Sequence, residues 1–230
     1  LSQKEISDFP HKELNRSTYI SASLTLIVGF VVCLLLFRPM EAADLKGAGF
    51  SLGFVSPWVA AALGVVSGIL IGFFAEYYTS YDYKPTKDIA NVTKQGPAIT
   101  ITEGLSVGFR SVMAPVATIG VTILLSYSIS GLYGVTMAAT GMLSFVAATV
   151  SVDTYGPIAD NAGGIAQMSK LDDNVRDITD TLDAVGNTTA AIGKGLAIGS
   201  AALATLSMLV SYLFSFTPAD QKMVLDLVDP

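Results

Sequence analysis

Two aspartates, Asp153 and Asp160, stand seven residues apart in the stretch SFVAATVSVDTYGPIADNAGGIAQM, inside a largely apolar run. Seven residues are two helical turns, so on a helix both carboxylates share a face about 10 Å apart along the axis. Ionisable groups at membrane depth are costly, and by default they mark an ion path or a binding site. Asp160 and Asn161 also have a plainer reading, as the cap of a short helix that opens a loop. Downstream, Asp177, Asp180 and Asp183 recur every three residues, and the stripe continues through Asn187, Ala190 and Lys194 at helical spacing. One face thus offers carboxylates, an amide, a gap and a cation in order. Hard cations such as Mg²⁺ take oxygen ligands and are often held between carboxylates and a substrate phosphate. A lysine adds a point charge toward phosphate. Asp153, Asp160, Asp183 and Asn187 are therefore the candidate metal ligands. Asp172 and Asp173, in the run SKLDDNVRDITDTLDAVGN, read as a solvated acidic loop.

The elements that carry these groups belong in a bilayer. Of 230 residues, 51% are hydrophobic and only 14% charged, too apolar for an ordinary soluble domain. A membrane-crossing helix needs about 20 mostly apolar residues, and five runs qualify: about 19–37, 52–74, 105–132, 133–168 and 187–214. The expected fold is an all-α polytopic membrane protein with a single membrane domain. In WVAAALGVVSGILIGFF, Gly64, Gly68 and Gly72 repeat every four residues, which lets a neighbouring helix approach closely. The connection EYYTSYDYKPTKDIANVTKQGPAITITE has turn formers Pro85, Gly96 and Pro97, and its tyrosines suit a membrane interface. With alternating spans, ten of the thirteen basic residues fall on one side, Lys87, Lys170 and Arg176 among them, and Arg38, Lys46 and Lys222 on the other. The basic side is expected to face the cytoplasm.

Several classes are excluded. A net charge of −6 without a basic patch argues against nucleic acid as a partner. The chain has one histidine, His11, read as a solvated loop residue, and it has no Walker loop and no Ser/His/Asp set. Any phosphate chemistry must run on carboxylates, lysine and metal. Cys33 has no partner for a disulfide and reads as a small core or lipid-facing residue. The Asn-x-Ser/Thr matches at Asn15, Asn91 and Asn187 fall on the expected cytoplasmic side or at a helix start, where glycans are not added. The opening LSQKEISDFPHKELNRS lacks the order of a signal peptide, so the chain reads as an internal fragment.

The stretches AEYYTS with KPTKDIA, GMLSFVAATVSVDTYGPIADNAGGIAQM, and DAVGNTTAAIGKGLAIGSAAL resemble the membrane-bound ion-pumping pyrophosphatases, with similarity running from about residue 52 to 213. The resemblance implies five transmembrane helices of a larger multi-helix subunit that dimerises, hydrolyses Mg²⁺-pyrophosphate at a cytoplasmic funnel and pumps H⁺ or Na⁺ outward. On it, Asp160 is similar to an aspartate that binds Mg²⁺ with the substrate, and Asn187 to a residue lining the same centre. Ala190 and Gly193 occupy positions where the potassium-stimulated subfamily has small residues and the potassium-independent one has Lys and Thr. The resemblance therefore implies K⁺ stimulation. Lys194 is similar to a family lysine with a structural or electrostatic role. A lysine-and-aspartate motif expected upstream, and two acidic, lysine-bearing helices expected downstream, are not found in these 230 residues. The residues that position the attacking water and form the ion gate would lie there, so the fragment alone is not expected to be active, and the pumped ion cannot be read. The main alternative is a secondary transporter in which Asp153, Asp160 and Asn187 bind a cation near the midplane.

Overall fold

The computed structural model describes residues 10–216, with the side chains of 10–15, 213 and 214 outside the description. The expectations for His11 and Asn15, and for Lys4 and Lys222 in the charge asymmetry, lie outside the described side chains or residues; the backbone at position 11 is helical rather than a loop. Among the described residues every regular element is a helix: α1 (Pro10–Phe37), α2 (Ala42–Gly47), α3 (Ser56–Thr79), α4 (Lys84–Val92), α5 (Pro97–Leu143), α6 (Val146–Asp153), α7 (Tyr155–Met168) and α8 (Asp173–Phe216). Four helical segments among them are long and apolar enough to cross a membrane: Arg16–Phe37, Gly53–Gln95, Pro97–Met168 and Asp173–Tyr212. The third is double. Ser130 (φ −140°, ψ 19°) and Gly131 (φ 59°, ψ −151°) leave helical geometry, and the chain folds back so tightly that a Cβ at Gly134 would strike the Ser126 carbonyl. Five spanning helices result, with the break one or two residues from the expected boundary. The Ile129 carbonyl at this turn accepts bonds from the Ser51 amide at 2.9 Å and its hydroxyl at 3.0 Å, because a bare carbonyl away from water is costly.

Two expectations need correction. Residues 133–168 are not one helix, since the chain pauses at Ser144–Phe145 and again at Thr154. At both places a hydroxyl turns back onto the backbone, Ser144 to Gly141 at 2.7 Å and Thr154 to Ser151 at 2.9 Å, which competes with the helical ladder. The acidic run is not a loop. Only residues 169–172 connect α7 to α8, and α8 starts at Asp173, fourteen residues before the expected span. The long connection after the second span also contains helix, with α3 reaching Thr79 and α4 following a four-residue turn.

Small residues let the helices close. A Cβ at Gly64 would collide with the Ala138 backbone, one at Gly141 with the Ala61 carbonyl, and one at Gly68 would lie 2.7 Å from Phe145. The glycine row of α3 thus packs as its four-residue repeat requires, around a core that includes Val65, Ile71, Ala138, Met142, Phe145, Leu196 and Leu203. Cys33 is buried, its thiol donating to the Phe54 carbonyl at 2.9 Å. Apolar side chains on α1, among them Leu24, Ile27, Val31 and Leu35, are exposed, as expected of a protein whose solvent is lipid.

Contacts between helices fix their directions. Trp58 bonds the Leu26 carbonyl and Cys33 meets Phe54, so α1 and α3 are antiparallel. Gly72 faces Ile192 and Gly68 faces Leu196, so α3 and α8 are antiparallel too. One end of the bundle therefore collects the start of α1, the turns around α4 and the connection 169–172. The loop 38–55 and the turn at Gly131 gather at the other end.

Candidate functional site

The end of α5, then α6 and α7, run along α8 in one antiparallel seam that builds the site. The positions where Cβ atoms of Gly199, Gly193, Gly186 and Gly163 would stand meet Met142 Sδ at 3.2 Å, Thr149 Cγ2 at 3.8 Å, Gly156 Cα at 2.5 Å and Thr179 Oγ1 at 3.4 Å. Residues 142, 149, 156 and 163 are seven apart, and on α8 their partners recur every six or seven residues, a heptad seam. At Gly156 and Gly186 the two backbones touch, which no larger side chain would allow.

This register places the candidate ligands. Asp160 lies four residues after Gly156 and three before Gly163, and Asp183 lies four after Thr179 and three before Gly186. These are equivalent positions on an antiparallel pair, so the two carboxylates sit at one level on the same edge of the seam. Asp153 and Ala190 are equivalent in the same way one heptad further on, about 10 Å along the axis. Asp160 is exposed, Asp183 half-buried. The stripe on α8 is also real: Asn187 Nδ2 donates to Asp183 Oδ2 at 3.0 Å, one turn apart on one face, with Lys194 exposed farther along. Ala190 and Gly193 are half-buried between them.

Neighbouring groups are engaged elsewhere, and the capping alternative falls away. Asp180 is taken by Arg176, Nε to Oδ1 at 2.8 Å, so the stripe's middle carboxylate balances an arginine. Asp160 and Asn161 lie inside α7 and cap nothing; Asn161 Nδ2 donates to the Pro157 carbonyl at 2.6 Å. Among the described residues no three His, Cys, Asp or Glu side chains converge as a complete metal shell. The edge supplies hard oxygen donors of the kind Mg²⁺ takes, with Asp160 outside any ion pair among the described residues. That donor chemistry fits a share of a shell rather than a whole one.

Three hydrogen bonds between α7 and α8, made by two side chains, were missed in the sequence. Arg176 Nη1 donates to the Gly163 carbonyl at 2.7 Å and to Gln167 Oε1 at 3.1 Å, and the Tyr155 hydroxyl donates to the Leu182 carbonyl at 3.1 Å. The Arg176–Asp180 spacing of four was a legible signal; the reach to α7 was not. Between α1, α3, α6 and α8 a cavity of about 80 Å³ is lined by apolar side chains together with Ser17, Thr18, Tyr19, Glu76, Thr149 and Thr189. The buried Thr149 hydroxyl has no partner there among the described residues.

Comparison with known proteins agrees along the whole chain. A family model described as inorganic H⁺ pyrophosphatase matches residues 1–230. The chain is 53% identical over 218 residues to a K⁺-stimulated pyrophosphate-energized sodium pump of Thermotoga maritima, covering 94% of this chain and 30% of that protein. It is 45% identical over 219 residues to a putative pump of the same description from Clostridium tetani, covering 92% and 30%. With a K⁺-insensitive pyrophosphate-energized proton pump of Moorella thermoacetica it shares 41% over 213 residues, 89% and 31% of the two chains. The chain spans about 30% of the length of the curated relatives it matches.

Proposed function

This chain belongs to the inorganic H⁺ pyrophosphatase family, and from that membership we propose that its α7–α8 edge forms part of a cytoplasmic site where Mg²⁺-pyrophosphate is hydrolysed to drive outward pumping of H⁺ or Na⁺. The observation that supports the reading is the antiparallel packing of Gly156 on Gly186 and Gly163 on Thr179, a register from which Asp160 and Asp183 are inferred to stand at one level of the seam. A secondary transporter has no comparable support, since the relatives are named as pyrophosphate-energized pumps.

In this reading Asp160 and Asp183 hold Mg²⁺ together with acidic groups beyond this chain. Bound Mg²⁺ screens the substrate's charge and polarises its phosphoryl oxygens. Asn187 fixes the Asp183 carboxylate through its amide N–H, which leaves the amide oxygen to accept from a water. Asp153 stands one heptad inward, opposite Ala190. K⁺ would sit beside the small side chains of Ala190 and Gly193, adding positive charge near phosphate, and Lys194 adds a fixed positive charge on the same stripe. The complete protein would work as a homodimer in the bilayer.

The test uses the complete protein in sealed vesicles, following phosphate release and ion uptake on addition of pyrophosphate. Release that requires Mg²⁺, rises with K⁺ and accompanies ion uptake is expected. Absence of pyrophosphate-dependent phosphate release would contradict the reading.

A further inference from the structure

We propose that Arg176 is a positioning residue for the acidic edge: it ties the last two turns of α7 to the first turn of α8 and so fixes the register that sets Asp160 level with Asp183. The inference rests on the reading that this edge faces Mg²⁺.

Asp160 and Asp183 belong to different helices, so their alignment depends on how far α7 can slide along α8. The seam between them is built of Gly156, Ala159, Gly163 and Ala166 against Thr179, Leu182 and Gly186. Small residues allow close approach, yet they offer few knobs to resist sliding. A slip of one turn would separate the two carboxylates by about 5.4 Å.

Arg176 opposes that slip with three acceptors on two helices. Its Nη1 meets the Gly163 carbonyl at 2.7 Å and Gln167 Oε1 at 3.1 Å, both on α7, while its Nε pairs with Asp180 on α8 at 2.8 Å. A guanidinium is a rigid planar fork, so three directed bonds hold it in one place. The α7 C-terminus favours a cation, whereas the α8 N-terminus disfavours one. Asp180 offsets the second effect and keeps the fork aimed at α7. At the other end of α7 the bond from Tyr155 to Leu182 pins the pair, so the level of Asp160 lies between two ties.

The experiment compares Arg176→Met, Arg176→Lys and Asp160→Asn in the complete protein. It reads the Mg²⁺ concentration that half-maximally raises the thermal unfolding midpoint, a binding readout without turnover, beside the Mg²⁺ dependence of hydrolysis. Arg176→Met is expected to raise both half-saturating concentrations about tenfold, the scale of lost support around metal ligands, while the maximal rate changes far less. Arg176→Lys should fall between, because one ammonium cannot fork to both helices. A merely structural arginine would lower the midpoint equally with and without Mg²⁺ and leave the half-saturating concentrations unchanged, and that result overturns the proposal. If Arg176→Met does not assemble, Gln167→Ala decides: a rise of the half-saturating Mg²⁺ concentrations toward about tenfold, the lower end of that scale, supports the clamp and no rise overturns it. Asp160→Asn separates the two claims. An unchanged Mg²⁺ response in that variant takes down the metal reading and the clamp with it, whereas a response altered there but not in Arg176→Met takes down the clamp alone.

Discussion

At Ala190 the acidic edge carries a methyl group where every neighbour on the stripe is charged or polar, and Asp153 stands at the same level across the seam. A long cation placed there would reach along the edge toward Asn187 and Asp183, one to two turns away. Ala190→Lys in the complete protein is accordingly expected to hydrolyse pyrophosphate without K⁺ and to ignore added K⁺, with Gly193→Thr needed for a full switch, since a side chain at 193 would pack against Thr149 at 3.8 Å. Titrating hydrolysis against K⁺ at fixed ionic strength checks this, and an unchanged activation curve would sink the idea. Both K⁺-stimulated and K⁺-insensitive pumps are similar to this chain, so the titration is the discriminating measurement. At this scale the sequence was informative about residue types: three- and four-residue spacing alone put Asp183, Asn187, Ala190 and Lys194 on one face, and a bond joins the first two of them, Asn187 Nδ2 to Asp183 Oδ2. Spacing is silent about partners on other helices. Arg176 looked like one more loop charge because its acceptors Gly163 and Gln167 belong to α7.

Among the elements, the α7–α8 hairpin depends on the contact of Gly156 with Gly186. A Cβ at 186 would lie 2.5 Å from the Gly156 Cα, and backbone can move only by parting the helices. Gly186→Val is therefore expected to cost about 1–3 kcal/mol or more in stability and to weaken Mg²⁺ binding. Gly164→Ala is the control: a Cβ there has nothing within 4 Å, so stability should stay level or rise by a few tenths to about 1 kcal/mol. Thermal unfolding of the two variants side by side makes the comparison. The five apolar spans were legible because each is long and nearly uncharged. The start of α8 was not, because polarity alone suggested a loop. The contrary signal was present: residues 173–185 contain neither Gly nor Pro, and Val175, Arg176, Thr179 and Leu182 form a half-buried stripe at helical spacing. The pauses at Ser144 and Thr154 were hidden for the opposite reason, since an apolar run conceals a hydroxyl that bonds its own backbone.

Across the whole molecule, alternating helix directions bring Arg16, Lys84, Lys87, Lys94 and Lys170 to one end and Arg38 and Lys46 to the other. The same antiparallel register, with Gly72 against Ile192, sets the end of α3 level with about residue 185 of α8. Asp160 and Asp183 thus stand about where α3 stops, and the α7–α8 hairpin continues past it by just over three turns. An acidic edge at the rim of a bundle suits a charged substrate arriving from water better than an ion held at the midplane. If the basic end is cytoplasmic, a cysteine at Lys87 in oriented vesicles should react with an impermeant reagent from the cytoplasmic face; labelling solely from the other face would invert the assignment. The central claim is that Asp160 binds the metal that accompanies pyrophosphate, and it is met most directly by Asp160→Asn in the complete protein, which keeps the side chain's shape and removes its charge. Hydrolysis and ion uptake should fall together by about 100-fold or more, beyond what loss of a supporting residue around a metal brings, and added Mg²⁺ should restore little. Near-normal turnover at ordinary Mg²⁺ would contradict the account.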